Sequence, residues 1–205
     1  MNLNKLFDMQ RVLDQRIIDK HPELKGQDNV EWKVLALQVE LGECANEWRG
    51  FKKWSNDQEP RTFKREKCPY CEERGISVYS LPRFEQYWCE TCAGYTTIDK
   101  NPLLEEYVDC LHFILSIFIE LGFTDIEIWN IPEENTMKHF IKCFENIGSI
   151  YFVYCVEGKV SMEICEGLFG AFIALGESLG FTWEQVEEAY FKKNAVNHNR
   201  QESGY

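Results

Sequence analysis

Apolar residues recur at intervals of three and four along most of the chain, which is the period of helices with one buried face. Leu6, Met9, Leu13 and Ile17 mark a first helix over Leu3 to Lys20, stopped by His21-Pro22. A second begins at Asp28 or Asn29, residue types whose side chains cap helix N-termini, and runs to about Gly50. Its stripe is Val30, Val34, Leu37, Leu41, Cys44 and Ala45. Pro102, in the first-turn position where proline is tolerated, opens a third helix that ends at Leu121-Gly122. A fourth is expected over Glu134 to Tyr154 and a fifth over Ser161 to Leu179, ended by Gly180. A last helix is capped by Thr182, with Glu184 or Gln185 completing a partial capping box, and reaches about Asn199. Positions 124–135 read as a linker.

One segment breaks the helical period. Ser55 to Asn101 holds Pro60, Pro69, Pro82, two Cys-x-x-Cys pairs and several aromatic and β-branched residues. It reads as a small β-rich insertion between the second and third helices. The expected fold is therefore all-α: residues 1–54 and 102–205 make a helical domain, and residues 55–101 an inserted module.

Cys68-x-x-Cys71 and Cys89-x-x-Cys92 stand 17 residues apart. Each pair in a tight turn can aim two thiolates at one ion, and two such knuckles complete a tetrahedral four-sulfur shell, which fits Zn²⁺. With every position filled by a thiolate the ion is structural. It supplies folding energy to a segment too poor in apolar residues to fold alone. The module is mildly basic through Lys64, Arg65, Lys67 and Arg74, but Glu59, Glu66, Glu72 and Glu73 dilute that charge. Nucleic-acid binding is not the expected role.

The whole chain, 205 residues and 44% hydrophobic, can bury a core and suits one domain with a small insertion. Its 22 basic and 34 acidic residues give a net charge of −12, which opposes a generic polyanion-binding surface. Such a chain handles phosphates through metal ions or a local basic patch. The N-terminus shows no basic stretch followed by an apolar block, and the longest apolar run, Phe113 to Ile119, is too short to span a bilayer. Nine cysteines, an odd number, then point to a reducing cytoplasm.

Both candidate chemistries lie on helices. Glu40, Glu43 and Glu47 share a stripe of the second helix, yet Val39, Leu41, Cys44 and Ala45 around them are apolar. Glu106 and Asp109 repeat the pattern one turn apart on the strongly apolar third helix. Like charges stacked beside a buried stripe are costly unless a cation holds them. Two such pairs on antiparallel helices would form an oxygen-only site for Mg²⁺, with Mn²⁺ as substitute. Asp109-x-x-His112 also resembles di-iron ligands, but Glu40-x-x-Glu43 offers no matching histidine. Near the C-terminus Lys193, Asn197 and Arg200 fall at offsets of four and seven, a basic stripe suited to phosphate. Acidic metal ligands beside a basic stripe point to a nucleotide substrate.

These residues resemble a known family. Val39 to Glu47 followed by Phe51-Lys52-Lys53-Trp54, the segment Glu106 to Phe113, and Lys193-Asn194-x-x-Asn197-x-x-Arg200-Gln201-x-x-Gly204-Tyr205 are similar to the motifs of the dimeric all-α dUTPases. These belong to the MazG-like nucleotide pyrophosphatases. Met9-Gln10-x-x-Leu13-Asp14 resembles their first motif. The resemblance implies a MazG-like helical bundle, a homodimer and Mg²⁺-dependent hydrolysis of dUTP, and of dUDP, to dUMP. It implies Glu40, Glu43, Glu106 and Asp109 as metal ligands, with Glu40 or Glu43 also orienting the attacking water. It further implies Lys193, Asn197, Arg200 and Tyr205 on phosphates or sugar, Gln10 on uracil, and Phe113 with Phe51 or Trp54 packing the base. Two departures stand out. Glu43 and Glu106 are 63 residues apart because the zinc segment lies between them, and Asp14 stands where the family pattern has an amide.

Two other readings compete: a MazG-like enzyme for another deoxynucleotide such as dCTP, and a non-enzymatic zinc-bearing interaction protein on the same fold. The inserted module is also a candidate contact for a protein partner. Independently of the resemblance, the third and fifth helices are apolar nearly all round, so a homodimer is expected to cover them.

Overall fold

The structure, a computed structural model, describes residues 2–74, 89–129 and 133–204. Its elements are α1 (Leu3–Lys20), a short 3₁₀ turn (Pro22–Leu24), α2 (Val30–Trp48), β1 (Lys64–Lys67), α3 (Pro69–Glu73), β2 (Thr97–Lys100), α4 (Pro102–Leu121), α5 (Thr136–Glu157), α6 (Met162–Ser178) and α7 (Trp183–Ser203). The architecture is all-α with one two-stranded ribbon.

The helix limits follow local chemistry. Asp28, rather than Asn29, caps α2, its Oδ1 accepting from the Val30 N–H at 3.0 Å. Asn101 caps α4 and Asn135 caps α5 in the same way. The last helix carries a full reciprocal capping box between Thr182 and Gln185, not Glu184, and runs on to Ser203 before Gly204 ends it. The segment over 124–129 is irregular, as the linker reading expects; Pro132 and Tyr205 lie outside the described residues, as does 75–88 of the insertion.

The centre of the fold is an antiparallel pair, α2 and α4. Lys33 at the start of α2 pairs with Glu120 at the end of α4, 2.7 Å apart, while Cys44 near the end of α2 faces Glu106 near the start of α4. The core runs through this pair as Val34, Leu37, Leu41, Leu103, Leu111, Ile114, Leu115 and Phe118, all buried. Helices α1 and α7 cover one side of α4. Helix α5 lies antiparallel to α2, bridging it through Tyr151–Glu31 and a Trp48–Phe140 ring contact, and forms a hairpin with α6.

Gly176 on α6 is required by a close approach: a Cβ there would collide with the Tyr107 ring. That ring stacks on Phe172 at 4.2 Å and donates its hydroxyl to the Phe172 carbonyl.

A second buried feature is polar. Asp14 accepts from Gln10 and Ser116, each at 2.7 Å, and lies 3.7 Å from the Lys33 ammonium. Lys33 is buried, and its charge is matched by Asp14 on one side and Glu120 on the other, which makes the burial tolerable. This network ties α1, α2 and α4 together.

The sequence expectation that α4 and α6 need a second chain to cover them is corrected here. Helices α1, α2, α6 and α7 bury α4, and Leu168, Phe169, Phe172 and Leu175 of α6 are already inside the monomer. The apolar side chains left in the open lie elsewhere: Trp32, Leu35 and Val39 along α2, and Ile141, Phe144, Phe152 and Val156 along α5. No single helix among the described residues is long and apolar enough to cross a membrane.

Candidate active site and a four-cysteine centre

Antiparallel packing of α2 on α4 brings the two acidic pairs to the same end of the bundle. Carboxylate oxygens of Glu40, Glu106 and Asp109 lie within 4.8 Å of one another. Glu43 stands beside them, more exposed, and raises the Glu40 and Glu106 pKa values through its charge. The helical period explains the difference. A step of three residues rotates Glu43 about 60° from Glu40, toward solvent, whereas a step of seven returns Glu47 to within about 20°.

The cluster is electrostatically frustrated. Burial, then repulsion from Asp109 and Glu43, pushes Glu40 up to about 7. Burial, then Asp109, Glu43 and Glu40, does the same to Glu106. Burial raises Asp109 as well, opposed by Lys193. Lys193 of α7 reaches across and pairs directly with Asp109 Oδ2. Arg200, two turns on, acts favourably on both Glu40 and Asp109. The donor set is oxygen-only and over-charged, and a hard divalent cation would relieve the repulsion. His112 does not join it. Its Nδ1 bonds Gln10 at 2.8 Å, its ring stacks on Tyr190 at 4.1 Å, and burial drops its pKa to about 3, so it is a neutral core imidazole.

The other residues named from sequence fall in several places. Gln10 is buried, donating to Asp14 and accepting from Tyr190 at 2.8 Å. Phe51 and Trp54 form an edge-to-face pair, 5.8 Å apart, in the turn after α2. That turn starts at Arg49, a non-glycine residue at φ 63°, pinned there by two guanidinium hydrogen bonds to the Asp57 carbonyl. Phe113 packs against the core. Asn197 is half-buried on α7, and Tyr205 lies outside the described residues. Sequence reasoning missed Asn194, buried with its Nδ2 unpartnered, and the Asp14–Ser116–Lys33 network. Asn194 carried a signal, since it sits inside the C-terminal motif.

A protein-family model described as dUTPase matches residues 2–67 and 86–205, nearly the whole chain. The chain belongs to the dUTPase family. It is accordingly a dUTP diphosphatase, a nucleotide-hydrolysing enzyme of a divalent-metal-using family. No curated protein matches it. The stretch the dUTPase model leaves out, 68–85, begins at the first cysteine of the insertion.

There, Cys68, Cys71, Cys89 and Cys92 are buried together, all four sulfurs within 4.8 Å of one another. Cys68–Cys89 and Cys71–Cys92 are 3.8 and 3.6 Å apart. A disulfide needs about 2.0 Å. Four sulfurs about 2.3 Å from a central ion lie about 3.8 Å from each other, so the spacing is that of a tetrahedral thiolate shell. The knuckles are held by backbone bonds: Cys71 and Glu72 N–H to the Cys68 carbonyl, and Thr96 N–H to the Cys92 sulfur. Strands β1 and β2 pair antiparallel beneath them, Arg65 opposite Asp99 with a two-pronged ion pair at 2.6 and 2.8 Å. The only apolar residue packed on the four cysteines is Ile98, among the described residues.

Proposed function

We propose that this dUTPase-family enzyme hydrolyses dUTP, and dUDP, to dUMP with Mg²⁺ or Mn²⁺ as cofactor, and that Glu40, Glu43, Glu106 and Asp109 hold the cations. The convergence of Glu40, Glu106 and Asp109 carries this reading. Hydrolysis breaks the bond between the α- and β-phosphoryl groups of dUTP and gives dUMP and pyrophosphate. When bound, a divalent cation offsets phosphate charge and lowers the pKa of water. The chain's own groups do the rest. Glu40 or Glu43, facing the site from α2, orients the attacking water and takes its proton. Lys193, which pairs with Asp109 in the free chain, would bind a phosphate oxygen of the substrate, and Asn197, Arg200 and Tyr205 would complete the phosphate and sugar contacts. Gln10 retains one amide N–H for a uracil carbonyl, and Phe113 with Phe51 or Trp54 covers the base. Zn²⁺ on the four cysteines is structural.

The test is pyrophosphate release from each deoxynucleoside triphosphate, with and without Mg²⁺. The expected result is Mg²⁺-dependent turnover strongest for dUTP. Preference for dCTP would move the substrate assignment, and activity in chelator would remove the metal reading.

We also propose a homodimer, supported by the open apolar faces of α2 and α5. Light scattering at micromolar concentration is expected to give twice the chain mass; an active monomer would rule this out.

A further inference from the structure

A cleft of about 430 Å³ lies between the end of the ribbon, the first turns of α4 and the outer face of α7. It adjoins the acidic trio through Lys193, which lines the cleft and pairs with Asp109, and through Arg200, which lines it and acts on Asp109 and Glu40. Lys192 lines it too, paired with Glu188, and the wall on the far side from α7 carries a fourth cation, Lys100, the last residue of β2. The Lys100 ammonium is half-buried, 3.0 Å from Glu66 and 3.9 Å from Glu105. Two carboxylates thus hold it in the cleft wall, which removes rotamer freedom that a lysine in solvent would keep. An ammonium has three N–H donors, so one remains for a ligand.

The position along the chain sets what that ligand is. Pro102, where α4 starts, is four residues and about 6 Å of helix axis from Glu106. Lys100 lies beyond that end. Its ammonium reaches back to Glu105, the neighbour of Glu106, and shares the cleft wall with Lys193 and Arg200, so a phosphate chain lying in the cleft would meet all three cations.

We propose that Lys100 reads the terminal phosphate of a nucleoside triphosphate, so that the inserted ribbon acts as a specificity element favouring dUTP over dUDP. This rests on the hydrolytic reading above. Among the described residues Ile98 is the only apolar side chain packed on the cysteines, so an ion held by the four sulfurs would help fix the strand that carries Lys100.

The experiment compares kcat/KM for dUTP and dUDP in the full-length, zinc-loaded chain carrying Lys100→Met or Lys100→Arg. The dUTP:dUDP ratio should fall about tenfold in Lys100→Met, the scale of one charge-assisted hydrogen bond, and recover in Lys100→Arg. Inhibition by inorganic tripolyphosphate should weaken in parallel. A lysine that merely braces the ribbon against α4 would lower both substrates together, and that unchanged ratio overturns the proposal, as does unchanged tripolyphosphate inhibition. A wild-type chain that turns over neither nucleotide would instead sink the hydrolytic reading itself.

Discussion

Glu106→Gln is expected to lose at least about 100-fold in dUTP turnover, the scale of removing a principal electrostatic group from an active site. The substitution keeps the shape of the side chain and removes one charge from the trio. The same change should make the metal-free protein slightly more stable near neutral pH. The Glu106 carboxyl sits at about 7 when folded and near 4.5 in the reference state, raised mainly by burial. A carboxyl raised in this way binds more protons folded than unfolded between those values. Its favourable contribution is complete below about 4.5 and is lost as pH rises through about 7. At pH 8 the folded chain therefore carries a repulsion that glutamine does not have. The group is half exposed, so solvent screening leaves a gain of about 1 kcal/mol, or about 2–4 °C in Tm. Added Mg²⁺ should stabilise the wild type more than the variant, and more at pH 8 than at pH 5. Turnover assays and thermal melts check all three. A folded Glu106→Gln protein with near-normal turnover would falsify the assignment of the trio.

Cys89→Ser is expected to abolish zinc binding at one ion per chain and unfold the ribbon, while the helical body survives. Structural zinc contributes about 10–16 kcal/mol of apparent binding energy in small four-ligand modules. Among the described residues the ribbon packs only Ile98 on the cysteines, whereas α1, α2, α4, α6 and α7 share an extensive buried core. Elemental analysis reads the stoichiometry. Hydrogen exchange over β1 and β2 reads the local unfolding, and far-UV circular dichroism reads the helices. Wild-type protein that is free of metal yet keeps the ribbon protected would overturn this account.

Much of the fold was legible because helix signals are local. The limits of α1 follow from Leu6, Leu13 and His21-Pro22, and α7 starts where Thr182 and Gln185 close their capping box. The cysteine centre was legible for a similar reason, since the spacing within each pair encodes the turn. Other features depend on contacts between distant segments. Asp14 meets Ser116 across 102 positions and Lys33 across a helix interface, and no periodicity signals either pairing. The expectation about α4 and α6 failed on the same ground: apolarity tells that a helix is covered, not which chain covers it. Offsets of three and seven placed Glu40, Glu43 and Glu47 on one stripe, but the 3.6-residue period resolves that stripe into a buried edge and a wet one.

The antiparallel α2–α4 pair has a kinetic consequence. Residues 49–101 separate the two helices, so their first encounter closes a long loop. Pairing of β1 with β2 short-circuits most of it and leaves chiefly 49–63 between α2 and α4, because β2 runs into the cap of α4 through Asn101 alone. A roughly threefold shorter loop lowers the cost of closure by about 1 kcal/mol. A chain whose cysteines captured an ion early would thus bring α2 and α4 together sooner, and refolding of the helical body would slow in the presence of a chelator.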